Sequence, residues 1–181
     1  MQSIYPQMPV TVLDFETTGF SPKSGHRVIE VGAVKVRQGQ TVNTYESLVH
    51  FSGDLSPQIT KLTGIKSWEL MNAPQPKTVF TQLLDFIGND AVVAHNASFE
   101  QRFLTAELQH LNLKQVPLNF YCTLKLARKY LPQAPNHQLE TLLSILKAPV
   151  KLPLHRACND ALATVHLWLL LASLSAEEAR K

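Results

Sequence analysis

The sequence predicts an α/β sandwich, a mixed five-stranded sheet flanked by helices. Three observations carry that expectation. The first part of the chain holds three apolar, β-branched runs joined by short polar links, the pattern of an antiparallel meander. The middle alternates helical apolar spacing with short buried runs, the pattern of strands connected through helices. The last part shows helical spacing alone.

Val10 to Phe15 is short, apolar and β-branched, and reads as a buried strand. Val28 to Val36, with Gly32 inside it, and Thr41 to His50 read as the second and third strands. Gln38-Gly39 between them reads as a hairpin turn. Ser56-Pro57 supplies an N-cap and first residue for a short helix ending at Gly64. Pro74 and Pro76 mark a loop. Thr78 to Ile87 places Val79, Leu83, Leu84 and Ile87 at helical spacing, and Ala91 to Ala94 is a short buried strand. Ser98 to Leu111 is a helix with Phe99, Phe103, Leu104 and Leu108 on one face, and Ser98 with Gln101 has the spacing of a capping box. Leu118 to Tyr121 is a last strand. Helices then run over Thr123–Tyr130, ended by Pro132, over Leu139–Leu146, and over Ala157–Leu174. Trp68 and Trp168 read as packing residues.

At 181 residues the chain fits one domain, expected over 9–175 with tails at 1–8 and 176–181. Hydrophobic residues make up 45% and charged residues 17%, enough apolar material for a core and too little charge for a disordered tail. The net charge of +3 suits a phosphate-bearing partner without being the basic stripe of a DNA-coating protein. The apolar stretch Ala161 to Leu174 contains Thr164 and His166, and is shorter than the ~20 residues a membrane span needs. Met1 to Pro9 lacks the basic flank and apolar core of a secretory signal. Cys122 and Cys158 have no metal-type spacing. The expectation is a cytoplasmic protein with free thiols and no membrane partner.

Three constellations could carry chemistry. Asp14 and Glu16 sit two apart at a strand end, so their side chains share a face. Carboxylates that close repel unless a cation or a proton lies between them, and hard divalent metals take such ligands. Read alone, the pair is also an ordinary acidic strand end. The second runs from Ala94 through His95 and Asn96 to Glu100, from strand end to helix start, where ligands bind in α/β sheets. Read alone, Glu100 only favours the helix dipole. The third is His155 to Asp160, a histidine ahead of a helix that bears an acid. Read alone, it is a surface histidine and a helix-start aspartate.

Taken together and in order, the three resemble the motifs of the DEDD superfamily of 3′–5′ exonucleases. This family includes the proofreading epsilon subunit of bacterial DNA polymerase III, RNase T and oligoribonuclease. Its D-x-E-T-T-G stands at Asp14 to Gly19, its H-N-x-x-F-D at His95 to Glu100, and its H-x-x-x-x-D at His155 to Asp160. The histidine five residues before the last aspartate marks the DEDDh branch. Ile59 to Ile65 and Thr123 to Ala127 are weaker echoes, and the resemblance spans about residues 9 to 172. One position departs: Glu100 stands where the family has aspartate. That moves the carboxylate out by one methylene, against the near-ideal octahedral geometry at about 2.0–2.1 Å that Mg²⁺ demands.

The resemblance implies a ribonuclease H-like fold and two-metal phosphodiester hydrolysis at nucleic-acid 3′ ends, with Mg²⁺ or Mn²⁺ as the two divalent cations. It implies Asp14, Glu16, Glu100 and Asp160 as metal ligands and His155 as general base. Imidazole, with an ordinary pKa of about 6.5, suits that work near neutral pH. For substrate contacts it implies the loop Thr17, Thr18 and Gly19, Leu62 and Thr63 on the terminal base, and Asn96 and Phe99 lining the cleft. Lys61, Lys66, Arg102, Lys125 and Arg128 are available to steer a phosphate backbone. The expected substrate is single-stranded DNA with a free 3′ end, with a DNA polymerase subunit as candidate partner. The alternatives are RNA trimming by the same chemistry, or a nucleic-acid-binding, polymerase-associated module whose catalysis Glu100 weakens.

Overall fold

The computed structural model describes residues 8–115, 117–148 and 153–178, with side chains described as far as Ser175. Most of the expected tails lie outside these residues, as does most of Pro149–Pro153, the stretch whose sequence resembles a linker. Five strands, β1 (Val10–Thr17), β2 (Val28–Arg37), β3 (Gln40–Leu48), β4 (Ala91–Ala94) and β5 (Phe120–Cys122), form one sheet in the order β3-β2-β1-β4-β5. β1, β2 and β3 pair antiparallel, while β4 runs parallel to β1 and β5 parallel to β4. The mixed sheet and the meander are therefore as expected. Gln38 and Gly39 both take positive φ, 51° and 75°, as the tight β2–β3 turn requires.

Among the described residues there are also seven α-helices: α1 (Pro57–Thr63), α2 (Ser67–Met71), α3 (Pro76–Ile87), α4 (Ser98–His110), α5 (Thr123–Tyr130), α6 (Leu139–Ile145) and α7 (Ala157–Glu178). Alternation along β1 divides the core. Leu13 and Phe15 join Val79, Phe80, Leu83, Phe103 and Leu104 of α3 and α4 on one face. Val10 and Val12 join Ala161, Val165 and Trp168 of α7 on the other. Ala127, Leu142, Ala163 and Leu167 tie α5 and α6 to α7. Asp14 and Glu16 continue the Val10–Val12 face, so both carboxylates point toward α7.

Four expectations change. Pro76 is the first residue of α3 rather than part of a loop, because its fixed φ suits that position. α2 was not foreseen; its turn buries Leu70 alone, and Trp68, expected to pack, is 67% exposed. Ser98 does not cap α4. A left-handed Asn96 (φ 67°) already turns the chain, Ala97 is the cap residue, and the Ser98 hydroxyl donates to Asn96 Oδ1. α7 is longer than its apolar run suggested, and by length and composition alone Ala157–Ser175 could cross a membrane. In the fold, its apolar faces pack on the sheet and on α5 and α6.

Candidate active site

The acids converge beside the last residues of β1, where β4 has already ended. Strands leave β1 toward β2 on one side and β4 toward β5 on the other, which makes this the switch point where open α/β sheets bind ligands. β1 delivers Asp14 and Glu16, the start of α4 delivers Glu100, and α7 delivers Asp160. Gly32 lies opposite Asp14 on β2, and a Cβ there would collide with the backbone of Ala157 and Cys158. Its missing side chain lets the start of α7 approach β1. Ligand atoms of Glu16, His155 and Asp160 lie within 4.8 Å of one another.

Electrostatics place the remaining acids in the same cluster. Burial, and then the charges of Glu100, Asp160, Glu16 and Glu30, hold the Asp14 carboxyl well above the usual carboxylate range. Burial first, then Asp160 and Glu30, pushes Glu16 up to about 8, with Arg156 opposing. Burial pushes Glu100 up to about 8, offset in part by its own backbone N–H and by Arg102. Burial pushes Asp160 up to about 6, offset by the His155 backbone and charge. Four carboxyls that resist ionisation together form a site that wants protons or cations.

The donor set fits divalent metal. Glu100 is 3% exposed and its Oε2 is buried without a hydrogen-bond partner; Asp160 Oδ1 is buried and unpartnered in the same way. Oxygens left unsatisfied are costly unless something absent from the protein alone completes them. Hard oxygen ligands are what Mg²⁺ and Mn²⁺ take. Despite its extra methylene, Glu100 keeps its carboxylate inside the cluster.

The flanking loops are pre-organised. Thr17 donates to Gly19 O (2.6 Å), Thr18 N donates to Arg27 O (2.9 Å), and Thr18 Oγ1 accepts from Arg27 N (3.0 Å). His26 covers Gly19 so closely that a Cβ would meet its ring at 2.5 Å. Arg27 in turn forks onto Glu107 of α4 at 2.6 and 2.8 Å, coupling this loop to the helix that carries Glu100. Asn96 is exposed, and Phe99 is half-buried with its ring 4.8 Å from that of Phe103. Leu62 is 50% exposed, whereas Thr63 is buried, donating to Ile59 O and accepting from Ile65 N at the end of α1. Lys61, Lys66, Arg102, Lys125 and Arg128 are all exposed.

Sequence reasoning missed two contributors, Glu30 and Arg156, and did not foresee what His95 does. Half-exposed Arg156 forks onto the buried Glu30 carboxylate beside the acids. His95 Nε2 donates to His137 O (3.0 Å) and its Nδ1 accepts from Thr123 Oγ1 (2.9 Å), tying the end of β4 to α5 and to the turn before α6. Burial holds His95 below its ordinary value, so it is a neutral strut.

The chain matches the model of the exonuclease family over residues 11–168. It belongs to that family. Among curated relatives, a PolC-type DNA polymerase III of Oceanobacillus iheyensis is 38% identical over 168 residues, covering 92% of this chain and 12% of that protein. The chain thus spans a small part of the relatives it matches. Among solved structures, Exonuclease X in complex with 5′ overhanging duplex DNA is 26% identical, with a TM-score of 0.72 over 94% of this chain and 92% of that one. The nuclease domain of 3′hExo, a DEDDh family member bound to rAMP, is 19% identical with a TM-score of 0.75 over 99% and 94%. The family and the ribonuclease H-like fold expected from the three motifs are borne out.

Proposed function

We propose that the chain is a divalent-cation-dependent 3′–5′ exonuclease that removes nucleotides from single-stranded DNA ends. The observation that carries this reading is the set of four carboxylates, two with orphaned buried oxygens, with an exposed histidine at its edge. Asp14, whose carboxyl feels each of the other three acids, would be the ligand available to both cations. Glu16 and Asp160, grouped with His155, would hold the cation beside it, and Glu100 would serve the other. Two divalent cations bound there would stabilise the charge that develops on the attacked phosphoryl group and hold the attacking and leaving oxygens in line. His155 accepts the proton of the attacking water on a ring nitrogen. The Thr17–Gly19 loop holds the terminal nucleotide through its backbone, Leu62 meets its base, and Asn96 and Phe99 line the cleft. The exposed lysines and arginines give the incoming phosphates a positive approach. The PolC-type relatives support a DNA polymerase as companion, since their matching segment is part of a polymerase protein.

The test is digestion of 5′-labelled DNA and RNA oligonucleotides, single- and double-stranded, with Mg²⁺, with Mn²⁺ and with chelator. The expected result is a ladder shortening from the 3′ end of single-stranded DNA that chelator abolishes. Shortening of RNA alone would replace the substrate. No shortening under either cation would refute the reading in favour of a nucleic-acid-binding module.

A further inference from the structure

Five acids crowd the end of β1, but one differs from the rest. Glu30 on β2 sits directly opposite Glu16 in the antiparallel register, a like-charge pair that costs stability on its own. Its side chain is 6% exposed and takes a fork from Arg156: Nη2 to Oε1 at 2.6 Å, Nε to Oε1 at 2.9 Å and Nε to Oε2 at 3.2 Å. Glu30 Oε2 also accepts from the Ala157 backbone N–H at 3.0 Å, serving one of the orphan donors at the start of α7. Glu30 therefore already has its cation, and grips two consecutive residues, Arg156 and Ala157. The residue just before them is His155. It is exposed, stands at φ 67°, and is held through its backbone N–H by Asp160 Oδ2 at 3.0 Å. A non-glycine residue in the left-handed region persists only where its surroundings dictate it, and such residues cluster at functional sites. Here the surroundings are the fork on one side and Asp160 on the other.

We infer that Glu30 and Arg156 are a positioning pair that sets the backbone of His155, and so fixes where its ring meets the acid cluster. The inference rests on the reading of His155 as general base. Glu30 is excluded as a metal ligand because its oxygens are occupied by Arg156 and the Ala157 amide. Half of the Arg156 side chain is exposed, which makes a role in holding the core together a poor account of it. Lysine at 156 would keep the charge but lose the planar fork, so that exchange is not conservative here.

The test compares R156K and E30Q with the parent, each also combined with H155A. In the parent background, R156K lowers kcat about 10–100-fold while KM for a single-stranded oligonucleotide and Mn²⁺ affinity by calorimetry stay near parental values. E30Q keeps an acceptor for the Ala157 amide, drops the charge that holds the guanidinium, and reproduces the loss. In the H155A background neither change lowers the residual rate further. Independently of turnover, the His155 amide followed by NMR hydrogen exchange loses protection in R156K, while amides in the middle of α7 keep theirs. If R156K costs the same factor with and without His155, or if the His155 amide stays protected, the inference is overturned. If H155A is as active as the parent, it is the reading of His155 as base that fails, and amide exchange alone then decides whether the pair positions this backbone.

Discussion

The acid cluster makes the protein's stability depend on pH and on cations in a way that can be worked through. In the folded chain Glu16 and Glu100 both titrate near 8, against an ordinary value of 4.5. A folded pKa above the unfolded one means that the folded state binds more protons in between, so stability falls as pH rises through that interval. His95 works with the opposite sign. Its folded value lies below the ordinary 6.5, so stability rises with pH up to about that point. The useful window is pH 6.5 to 8, where unfolded glutamates are fully ionised and the remaining titration of unfolded His95 opposes the fall by at most about 0.4 kcal/mol. Each proton retained by the folded state in this window costs about 1.4 kcal/mol per pH unit when it is lost, or about 2 kcal/mol across it. For a chain of this size that is about 4–8 °C in Tm, and two retained protons would at most double it. In chelator, Tm should therefore fall by at least about 4 °C between pH 6.5 and 8. Millimolar Mn²⁺ should raise Tm most at the alkaline end and flatten the slope, because cations then stabilise the ionised carboxylates. Glu100→Gln removes one titrating group and should make the chelated slope shallower. Differential scanning calorimetry reads all three. A chelated Tm that is flat or rises across the window would refute the clustered, cation-seeking carboxyls argued above.

Three further outcomes follow from the same geometry. His155→Ala should lower turnover about 10²–10⁴-fold in the oligonucleotide assay and leave circular dichroism and Tm unchanged, since the side chain is exposed; parental turnover would remove it from the role. Glu100→Asp, which restores the family residue, should keep activity within about tenfold of the parent, whereas Glu100→Gln should lose more than about 100-fold together with Mn²⁺ affinity, both read by gel assay and calorimetry. Gly32→Ala should cost about 1–3 kcal/mol in urea unfolding and also depress turnover, because the added Cβ forces the start of α7, and Asp160 with it, away from β1.

The fold was legible where apolar period and turn chemistry agreed. β1, β2 and β4 carry runs rich in β-branched residues that bury on both faces, and Ser56-Pro57 and Gly64 bracket α1 as the N-cap, first-turn proline and left-handed C-cap of a helix should. It was not legible where tertiary contacts decide. α2 buries one residue, so no period could announce it, and its Trp68 is large and apolar yet exposed. Ser98 has the local spacing of a cap, but the backbone of Asn96 pre-empts it.

The site was legible in a narrower sense. Spacing along β1 is enough to put Asp14 and Glu16 on one face, but it does not say which of the buried acids await a cation. The pairing pattern does. Arg27 serves Glu107, Arg37 serves Asp90, and Arg156 serves Glu30, each at 2.6–2.8 Å. Asp14, Glu16, Glu100 and Asp160 have no arginine or lysine within salt-bridge distance among the described residues. A buried carboxylate without a counter-charge either holds a proton or awaits a cation. These partners come from 53 to 126 residues away, through sheet register and helix docking, so no local reading of the sequence could sort the acids into anchored and available. The four available acids are those of the family motifs. Glu30, the fifth acid at this end of β1, is sorted out of the metal set by an arginine that stands beside the histidine it positions.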